Sequence, residues 1–196
     1  MKLVFASNNA HKLSEVRAIL PADIEVLSLN DIGFTSEIAE TGATLPENSC
    51  IKAEAVAKWL RANGLWLQVD GVFADDTGLE IDALNGAPGV YTARWAGEPA
   101  ANRKKALSEL ADKEDRSAQF RTVVTLIRTN GKRLVVSGIV RGRIAEKEYG
   151  DGGFGYDPLF IPEGYEKTFA ELPAETKNSI SHRGRALQAL IKQLNG

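Results

Sequence analysis

Short apolar runs alternate with polar turns and amphipathic segments along the chain, and their spacing predicts both strands and helices. Residues 2–6, with the sequence KLVFA, form an apolar run that is typical of a short buried strand. Apolar residues then recur at helical spacing as far as Leu20, and Pro21 ends this predicted helix. The first predicted elements are therefore a strand, a polar turn and a helix.

The clearest predicted helix spans residues 44–63. Thr44 and Glu47 form a capping-box pattern at its start, because each side chain can satisfy a backbone N–H near the other residue. Asn63 and Gly64 are residue types that commonly end a helix. Between these ends, apolar residues recur on faces of the helix, so we expect it to pack against a core.

The rest of the chain predicts several strands and two further helices. Asn130-Gly131 is a strong signal for a hairpin turn between two β-rich runs, whereas residues 150–180 are expected to be mostly irregular. The predicted elements are strands at 69–74 and 79–83, a helix at about 99–111, strands at 118–128 and 133–144, and a last helix after Ser181. This pattern predicts a mixed α/β protein, with residues 1–196 forming one domain that could have two lobes.

Composition, charge and cysteine content limit the class of protein and the partners that we expect. Of the 196 residues, 43% are hydrophobic and 26% are charged, with a net charge of −2, which is ordinary for a globular protein. There is no long run of Lys or Arg and no long apolar segment, so we expect no nucleic-acid partner and no membrane partner. The single cysteine, Cys50, excludes an intrachain disulfide, and we expect a cytoplasmic protein.

The polar turn at residues 6–12, ASNNAHK, is a candidate phosphate site. A helix that begins directly after a strand presents free N–H groups and a positive potential. Lys12 would lie in the first turn, where a cation is mildly unfavourable, and this suggests an anionic ligand. The alternative is a capped helix with a solvated lysine.

Two further segments are rich in groups that suit a metal and phosphates. Glu40 precedes a Thr-Gly turn, and Lys52 lies on the helix that follows it. Asp75 and Asp76 end a predicted strand, so that one could face a cleft while the other faces the structure. Mg²⁺ prefers carboxylate oxygens, and Glu40 with Asp76 would suffice for it. The alternatives are a polar helix face and an Asp-rich turn.

The segment GDGGFGYD at residues 150–157 has the spacing G-x-G-x-x-G of a dinucleotide-binding turn. That motif requires a helix after the glycines, but two prolines and an aromatic run follow instead, which argues against it. Phe154 could stack on a nucleobase, and Asp157 could accept from base N–H groups. In this interpretation the glycines let the loop close over a flat base. The alternative is a hydrophobic loop anchor.

The segment ETKNSISHRGRA at residues 175–186 concentrates cations and donors near a predicted helix start. Lys177, His182 and Arg183 lie here, and an arginine can donate to a carbonyl or a phosphate with a planar fork. Both histidines of the chain, His11 and His182, fall within polar segments of this kind. A solvated basic patch is the alternative.

Taken together, these segments resemble the inosine triphosphate pyrophosphatase family, which removes non-canonical purine nucleoside triphosphates. The match is ordered and spans nearly the whole chain: SNNAHK at 7–12, ETGATLPENSCIKA at 40–53, ADDTGLEIDALNGAPGVYTARWAG at 74–97, GFGYDPLF at 153–160 and KNSISHRGRA at 177–186. The resemblance implies an elongated mixed β-sheet with flanking helices and two lobes around a central nucleotide cleft. It also implies a homodimer and Mg²⁺-dependent hydrolysis to the monophosphate and pyrophosphate.

The resemblance further implies a role for each matching residue. Asp76 would be the catalytic base and would hold Mg²⁺ together with Glu40. The residues implied to bind substrate are Ser7, Asn8, Asn9, Ala10, His11, Lys12, Lys52, Thr77, Phe154, Gly155, Tyr156, Asp157, Lys177, His182 and Arg183. The first seven would bind the triphosphate, the loop from Phe154 to Asp157 the base and sugar, and the last three the 6-keto side of the purine.

Two other functions stay open at this stage. A Maf-like pyrophosphatase of other modified nucleotides would share the chemistry and differ in the base pocket. A non-catalytic nucleotide-binding protein would not need a base beside the metal. The chain departs from the family pattern at Thr77, where serine is more common, but the hydroxyl group is kept.

Overall fold

A computed structural model of the chain describes residues 1–194. It is a mixed α/β fold, as the apolar pattern predicts, with five α-helices and a seven-stranded sheet in this part of the chain. The helices are α1 (Ala10–Ile19), α2 (Leu45–Ala62), α3 (Pro99–Glu109), α4 (Ala174–Ile180) and α5 (His182–Leu194). Among residues 1–194, none of these helices has the length and apolar character needed to cross a membrane.

The sheet combines parallel and antiparallel neighbours. Its strands are β1 (Lys2–Phe5), β2 (Glu25–Leu27), β3 (Gly71–Ile81), β4 (Pro88–Gly89), β5 (Ser117–Arg128), β6 (Arg133–Ile144) and β7 (Phe160–Pro162). The order is β2-β1-β3-β5-β6-β7, and β4 pairs with β3 away from this path. β1 is parallel to both β2 and β3, whereas β4 is antiparallel to β3 and β7 is antiparallel to β6. The β1–α1–β2 succession accounts for the parallel β1–β2 pair.

The chain divides into two compact units. Unit 1 comprises Met1–Asp76, Thr122–Gly138 and the chain from Gly184, and unit 2 comprises Thr77–Arg121 and Ile139–Arg183. Unit 1 has two apolar clusters, one around Phe5 and Phe73 and one around the buried side chains of α2. Unit 2 has its own cluster, which includes Phe120, Phe160 and Phe169. Each unit therefore has a hydrophobic core of its own.

The prediction of two strands separated by a turn at DDTG is wrong. The structure has one continuous strand, β3, through Asp75, Asp76, Thr77 and Gly78. Asp favours turns because its side chain can hydrogen-bond to the backbone two residues on, but both carboxylates are buried here and each is paired with a lysine instead. Ion pairs from other elements therefore override the local preference for a turn.

Most of the other predicted elements are confirmed. α2 begins with the predicted capping box, in which Thr44 accepts from the Glu47 N–H and Glu47 accepts from the Thr44 N–H. α5 begins directly after Ser181, as predicted. The short elements β2, β4, β7 and α4 were not predicted, because a few residues do not establish a period.

Candidate functional site

The turn after β1 fixes the first predicted phosphate segment. Asn9 caps α1, since its side chain accepts from the Lys12 N–H at 3.1 Å, and Ser7 accepts from the Asn9 N–H at 3.2 Å. The ammonium of Lys12 donates to Asp75 at 2.9 Å. Asp75 thereby explains how a lysine is tolerated in the first turn of a helix, because a buried carboxylate offsets the unfavourable helix dipole.

Lys52 is the centre of the second polar cluster of unit 1. Its ammonium donates to Glu40 at 3.1 Å and to Asp76 at 3.0 Å. Lys52 and Asp76 are 7% exposed, so both charges are largely removed from water. Two carboxylates from distant parts of the sequence therefore converge on one cation.

Burial and neighbouring charges shift the pKa values in this cluster. Burial raises the pKa of Asp76 above its ordinary value, and the like charge of Glu40 adds to this, although Lys52 and Lys12 act in the opposite direction. Burial alone would lower the pKa of Lys52, but the combined attraction of Asp76, Asp75 and Glu40 outweighs it and raises the pKa. Lys52 is therefore firmly protonated, and Asp76 is a stronger base than an exposed aspartate.

The residues of this cluster fit a hard divalent cation. Within residues 1–194 no group of three or more His, Cys, Asp or Glu side chains is arranged to hold a metal. Mg²⁺, however, is commonly held by one or two carboxylates together with substrate phosphates, and Glu40 and Asp76 supply two. The Oδ2 atom of Asp76 is buried and makes no hydrogen bond to the described part of the chain, so it retains an acceptor for a ligand.

The loop at residues 150–157 belongs to unit 2 and is held in one shape by Asp157. The Asp157 carboxylate accepts from the Phe154 N–H at 2.7 Å and from the Lys177 ammonium at 2.5 Å. That ammonium also lies 5.0 Å from the centroid of the Phe154 ring. Asp157 therefore orders the turn that presents Phe154, and its carboxylate already has two partners.

The glycines of this loop allow a left-handed backbone and close packing. Gly150, Gly153 and Gly155 have φ values of +80°, +70° and +62°, which L side chains rarely adopt. At Gly152 a Cβ atom would lie 2.7 Å from the backbone oxygen of Ala170, which is closer than real contacts allow. The structure thus gives the glycines a role in forming the turn and packing it on its neighbour.

Arg183 and His182 are buried in unit 2 at the start of α5. Arg183 is 1% exposed, donates to the Thr77 hydroxyl at 3.3 Å and lies 5.7 Å from the centroid of the Phe154 ring. His182 stacks on Phe120, with ring centroids 4.6 Å apart and an interplanar angle of 19°. The predicted alternative of a solvated basic patch is therefore wrong, because both side chains are inside the protein.

Tyr156 is a core residue of unit 2. It is 3% exposed, it packs in the core of unit 2, and its hydroxyl donates to the backbone oxygen of Thr92 at 3.2 Å. Asn102 holds the same segment, since its side chain donates to Ala93 and accepts from the Ala96 N–H. Asn102 was not predicted, because a single asparagine on a polar helix carries no periodic signal.

The predicted site residues fall into two sets, and each unit contains one of these sets. The set of unit 1 contains Ser7, Asn8, Asn9, Ala10, His11, Lys12, Glu40, Lys52 and Asp76. The set of unit 2 contains Thr77, Phe154, Gly155, Tyr156, Asp157, Lys177, His182 and Arg183. In the first set Asn8, Asn9, Ala10 and His11 are exposed and precede or open α1, while Lys12, Glu40, Lys52 and Asp76 are buried or half-buried. Asp76 and Thr77 are consecutive on β3, so one strand carries a member of each set.

Comparison with known proteins identifies the family of this chain. The model of the Ham1 family matches residues 3–193. A Flavobacterium johnsoniae protein named dITP/XTP pyrophosphatase is 49% identical over 99% of this chain and 98% of its own length. A Bacillus subtilis protein of the same name is 47% identical over 97% of this chain and 96% of its own length. The solved structure of the Staphylococcus aureus Ham1 protein has a TM-score of 0.86 at 41% identity and covers 100% of this chain and 99% of that one. The present chain belongs to the Ham1 family.

Proposed function

We propose that this chain hydrolyses non-canonical purine nucleoside triphosphates, such as dITP, ITP and XTP, to the monophosphate and pyrophosphate. The observation that carries the proposal is the cluster in which Lys52 pairs with Glu40 and Asp76. It combines a cation for phosphates, two carboxylates for a metal and a base of raised pKa. The names of the relatives, dITP/XTP pyrophosphatase, agree with that chemistry.

In this proposal the residues of unit 1 bind the triphosphate. The segment Ser7–Lys12 offers the N–H groups of a helix start, and Lys12 and Lys52 offer ammonium groups. Glu40 and Asp76 would hold Mg²⁺, which when bound neutralises phosphate charge and polarises the phosphoryl oxygens. Lys12 and Lys52 are held in place by carboxylates before substrate binds, so less ordering is required of them on binding.

The proposed reaction is attack of water on the α-phosphorus. The oxygen of water forms a bond to phosphorus, the bond from phosphorus to the bridging oxygen of the β-phosphate breaks, and pyrophosphate leaves with that electron pair. Asp76 accepts the proton of the attacking water, and its Oδ2 atom, which makes no hydrogen bond to residues 1–194, is available as the acceptor. Lys12 and Lys52 stabilise the negative charge that develops on the phosphates.

The residues of unit 2 are proposed to select the base. Phe154 supplies a ring for stacking, within a turn that Asp157 and Lys177 hold together. Arg183 has only N–H donors, so it can pair with a 6-keto oxygen but not with the 6-amino group of adenine. Each buried donor that faces another donor costs about 1–3 kcal/mol, and several such mismatches give strong discrimination. Lys177 and His182 supply further donors on that side, and Thr77, Gly155 and Tyr156 shape the site.

The proposal is tested by measuring pyrophosphate release with Mg²⁺ from dITP, XTP, dATP and dGTP in parallel. Strong release from dITP and XTP, with little from dATP and dGTP, is expected. Guanine is also a 6-keto purine, so little release from dGTP would in addition require rejection of its 2-amino group. Equal release from all four would exclude the base-selecting roles of Phe154, His182 and Arg183. No release from any purine nucleotide, with release from modified pyrimidine nucleotides, would favour the Maf-like alternative.

We also propose that the enzyme is a cytoplasmic homodimer, as the family resemblance implies. The single cysteine, Cys50, agrees with a reducing compartment, because the chain cannot form a disulfide within itself. The oligomeric state is measured by light scattering on the eluting peak of a size-exclusion column. A mass near twice 21.2 kDa is expected, and a mass near 21.2 kDa would contradict the dimer.

A further inference from the structure

Asn48 lies on α2 and is completely buried, although it has no part in the roles assigned above. Its Oδ1 atom accepts from the backbone N–H of Gly42 at 2.8 Å. The donor is a backbone N–H, so the atom facing it must be the carboxamide oxygen rather than the nitrogen. This bond fastens the Thr-Gly turn before α2 to the helix itself.

Gly42 allows this bond because it lacks a side chain. A Cβ atom at Gly42 would lie 2.7 Å from the Oδ1 atom of Asn48 and 2.7 Å from the Cβ atom of Glu47, closer than real contacts allow. The turn therefore packs directly on the first turn of α2, and only glycine permits this distance.

The segment that carries Glu40 is fastened to α2 at successive points. Glu47 accepts from the Ala43 N–H at 2.7 Å and Lys52 donates to Glu40 at 3.1 Å. The Gly42–Asn48 bond lies between these two and is the backbone anchor nearest to Glu40 among those on α2. Loss of it would leave the Ala43–Glu47 bond as the nearest backbone anchor and the ion pair with Lys52 as the contact of the Glu40 carboxylate itself, which is only partly buried.

Packing does not explain why an asparagine occupies this position. The Nδ2 group of Asn48 is buried and has no hydrogen-bond partner among residues 1–194. An unpaired buried donor is costly, and an apolar side chain would avoid that cost. The carboxamide is therefore explained by the acceptor it offers to Gly42.

We propose that Asn48 is a positioning residue that sets the Glu40 carboxylate for the metal-bound substrate, an inference that rests on the proposed function of Glu40. Lys52 is one helical turn after Asn48, so the two side chains share a face of α2. Lys52 holds Glu40 by its carboxylate and Asn48 holds the adjoining backbone. Together these two contacts fix the orientation of the Glu40 carboxylate and its distance from α2.

The test combines amide hydrogen exchange at Gly42 with the Mg²⁺ concentration that gives half-maximal activity. In Asn48→Ala the Gly42 N–H is expected to exchange about fivefold faster, since a lost hydrogen bond of about 1 kcal/mol corresponds to a factor of this size. The half-saturating Mg²⁺ concentration is expected to rise by about the same factor. Asn48→Asp keeps an acceptor oxygen and should keep the slow exchange, and Gly42→Ala should reproduce the effects of Asn48→Ala.

Thr44→Ala is the matched control, because it weakens the start of α2 without touching the Gly42–Asn48 bond. It should lower the stability of the helix while leaving the Mg²⁺ dependence unchanged. The inference is overturned if Asn48→Ala leaves the Gly42 exchange rate unchanged, or if it changes that rate but not the Mg²⁺ dependence. If the unaltered enzyme releases no pyrophosphate, the proposed function fails, and unchanged exchange in Asn48→Ala still overturns the anchor.

Discussion

Ion pairs hold the charged side chains of the unit 1 cluster in place, and the sequence predicts only part of this pairing. The unfavourable position of Lys12 in the first turn of α1 indicates an anionic partner, but the structure shows that Asp75 already fills this role. That pair joins residues 63 positions apart, so no local pattern could reveal it. The side chains that meet at Lys52 come from segments that were predicted to be polar, but their convergence depends on the tertiary fold.

Replacement of Asp76 by asparagine is expected to abolish turnover while nucleotide still binds. The amide cannot accept the proton of the attacking water, and loss of a general base typically costs on the order of 10²–10⁴ in rate. Turnover is followed by pyrophosphate release and binding by calorimetry with dITP. Asp82→Asn, at an exposed carboxylate, is the control and should keep turnover. Turnover in Asp76→Asn close to that of the unaltered enzyme would remove Asp76 from the mechanism.

Direct titration of the metal-free enzyme is expected to show the raised pKa of Asp76. Burial outweighs the neighbouring lysines, so this carboxylate should protonate above the ordinary aspartate pKa of about 4. The titration is followed by ¹³C NMR of the Asp76 carboxyl group without Mg²⁺, because a bound dication favours the ionised form and would lower this pKa. A midpoint at or below about pH 4 would contradict the raised pKa.

Secondary-structure elements are predicted well where their signals are local. The capping box of α2 and the helical period of α5 depend on neighbours within a few residues, and both are confirmed. β3 is predicted less well, because its continuity through Asp75 and Asp76 depends on lysines of α1 and α2. The loop at residues 150–157 is predicted as irregular, but its fixed shape comes from contacts with later segments.

Tyr156→Phe is expected to destabilise the protein by about 1 kcal/mol, because it removes a buried hydrogen bond to the backbone oxygen of Thr92. Burial raises the pKa of Tyr156, so its hydroxyl stays protonated and remains a donor across the neutral range. The free energy of unfolding is measured by urea denaturation. Tyr91→Phe, at a tyrosine that is 57% exposed, is the matched control and should change stability by less than about 0.5 kcal/mol. Equal effects of both substitutions would contradict a stabilising role for the bond.

At the scale of the whole molecule, the chain crosses between the two units within regular structure. The crossings fall inside β3, β5, β6 and α5, and none lies in a linker. This agrees with the absence of any composition shift in the sequence. A strand or helix that continues from one unit into the other cannot lose its order in one unit without disturbing its hydrogen bonds at the boundary.

We therefore expect a single cooperative unfolding transition. Leu60→Ala in unit 1 and Phe169→Ala in unit 2 should each lower the stability by about 2–5 kcal/mol and shift that same transition. The transition is measured by calorimetry, where equal calorimetric and van't Hoff enthalpies indicate two-state unfolding. Two separate transitions, each shifted by only one of the substitutions, would show that the units unfold independently.

The placement of Lys52 between two carboxylates has a consequence for how a metal ion and a nucleotide affect each other's binding. A phosphate that attracts this ammonium leaves Glu40 and Asp76 with uncompensated negative charge, which favours a divalent cation beside them. A cation that binds first likewise releases the ammonium toward a phosphate. Each ligand then raises the affinity for the other, and thermodynamic linkage requires that both affinities rise by the same factor. We therefore expect positive heterotropic cooperativity between metal and nucleotide, with its origin in the resting ion pairs.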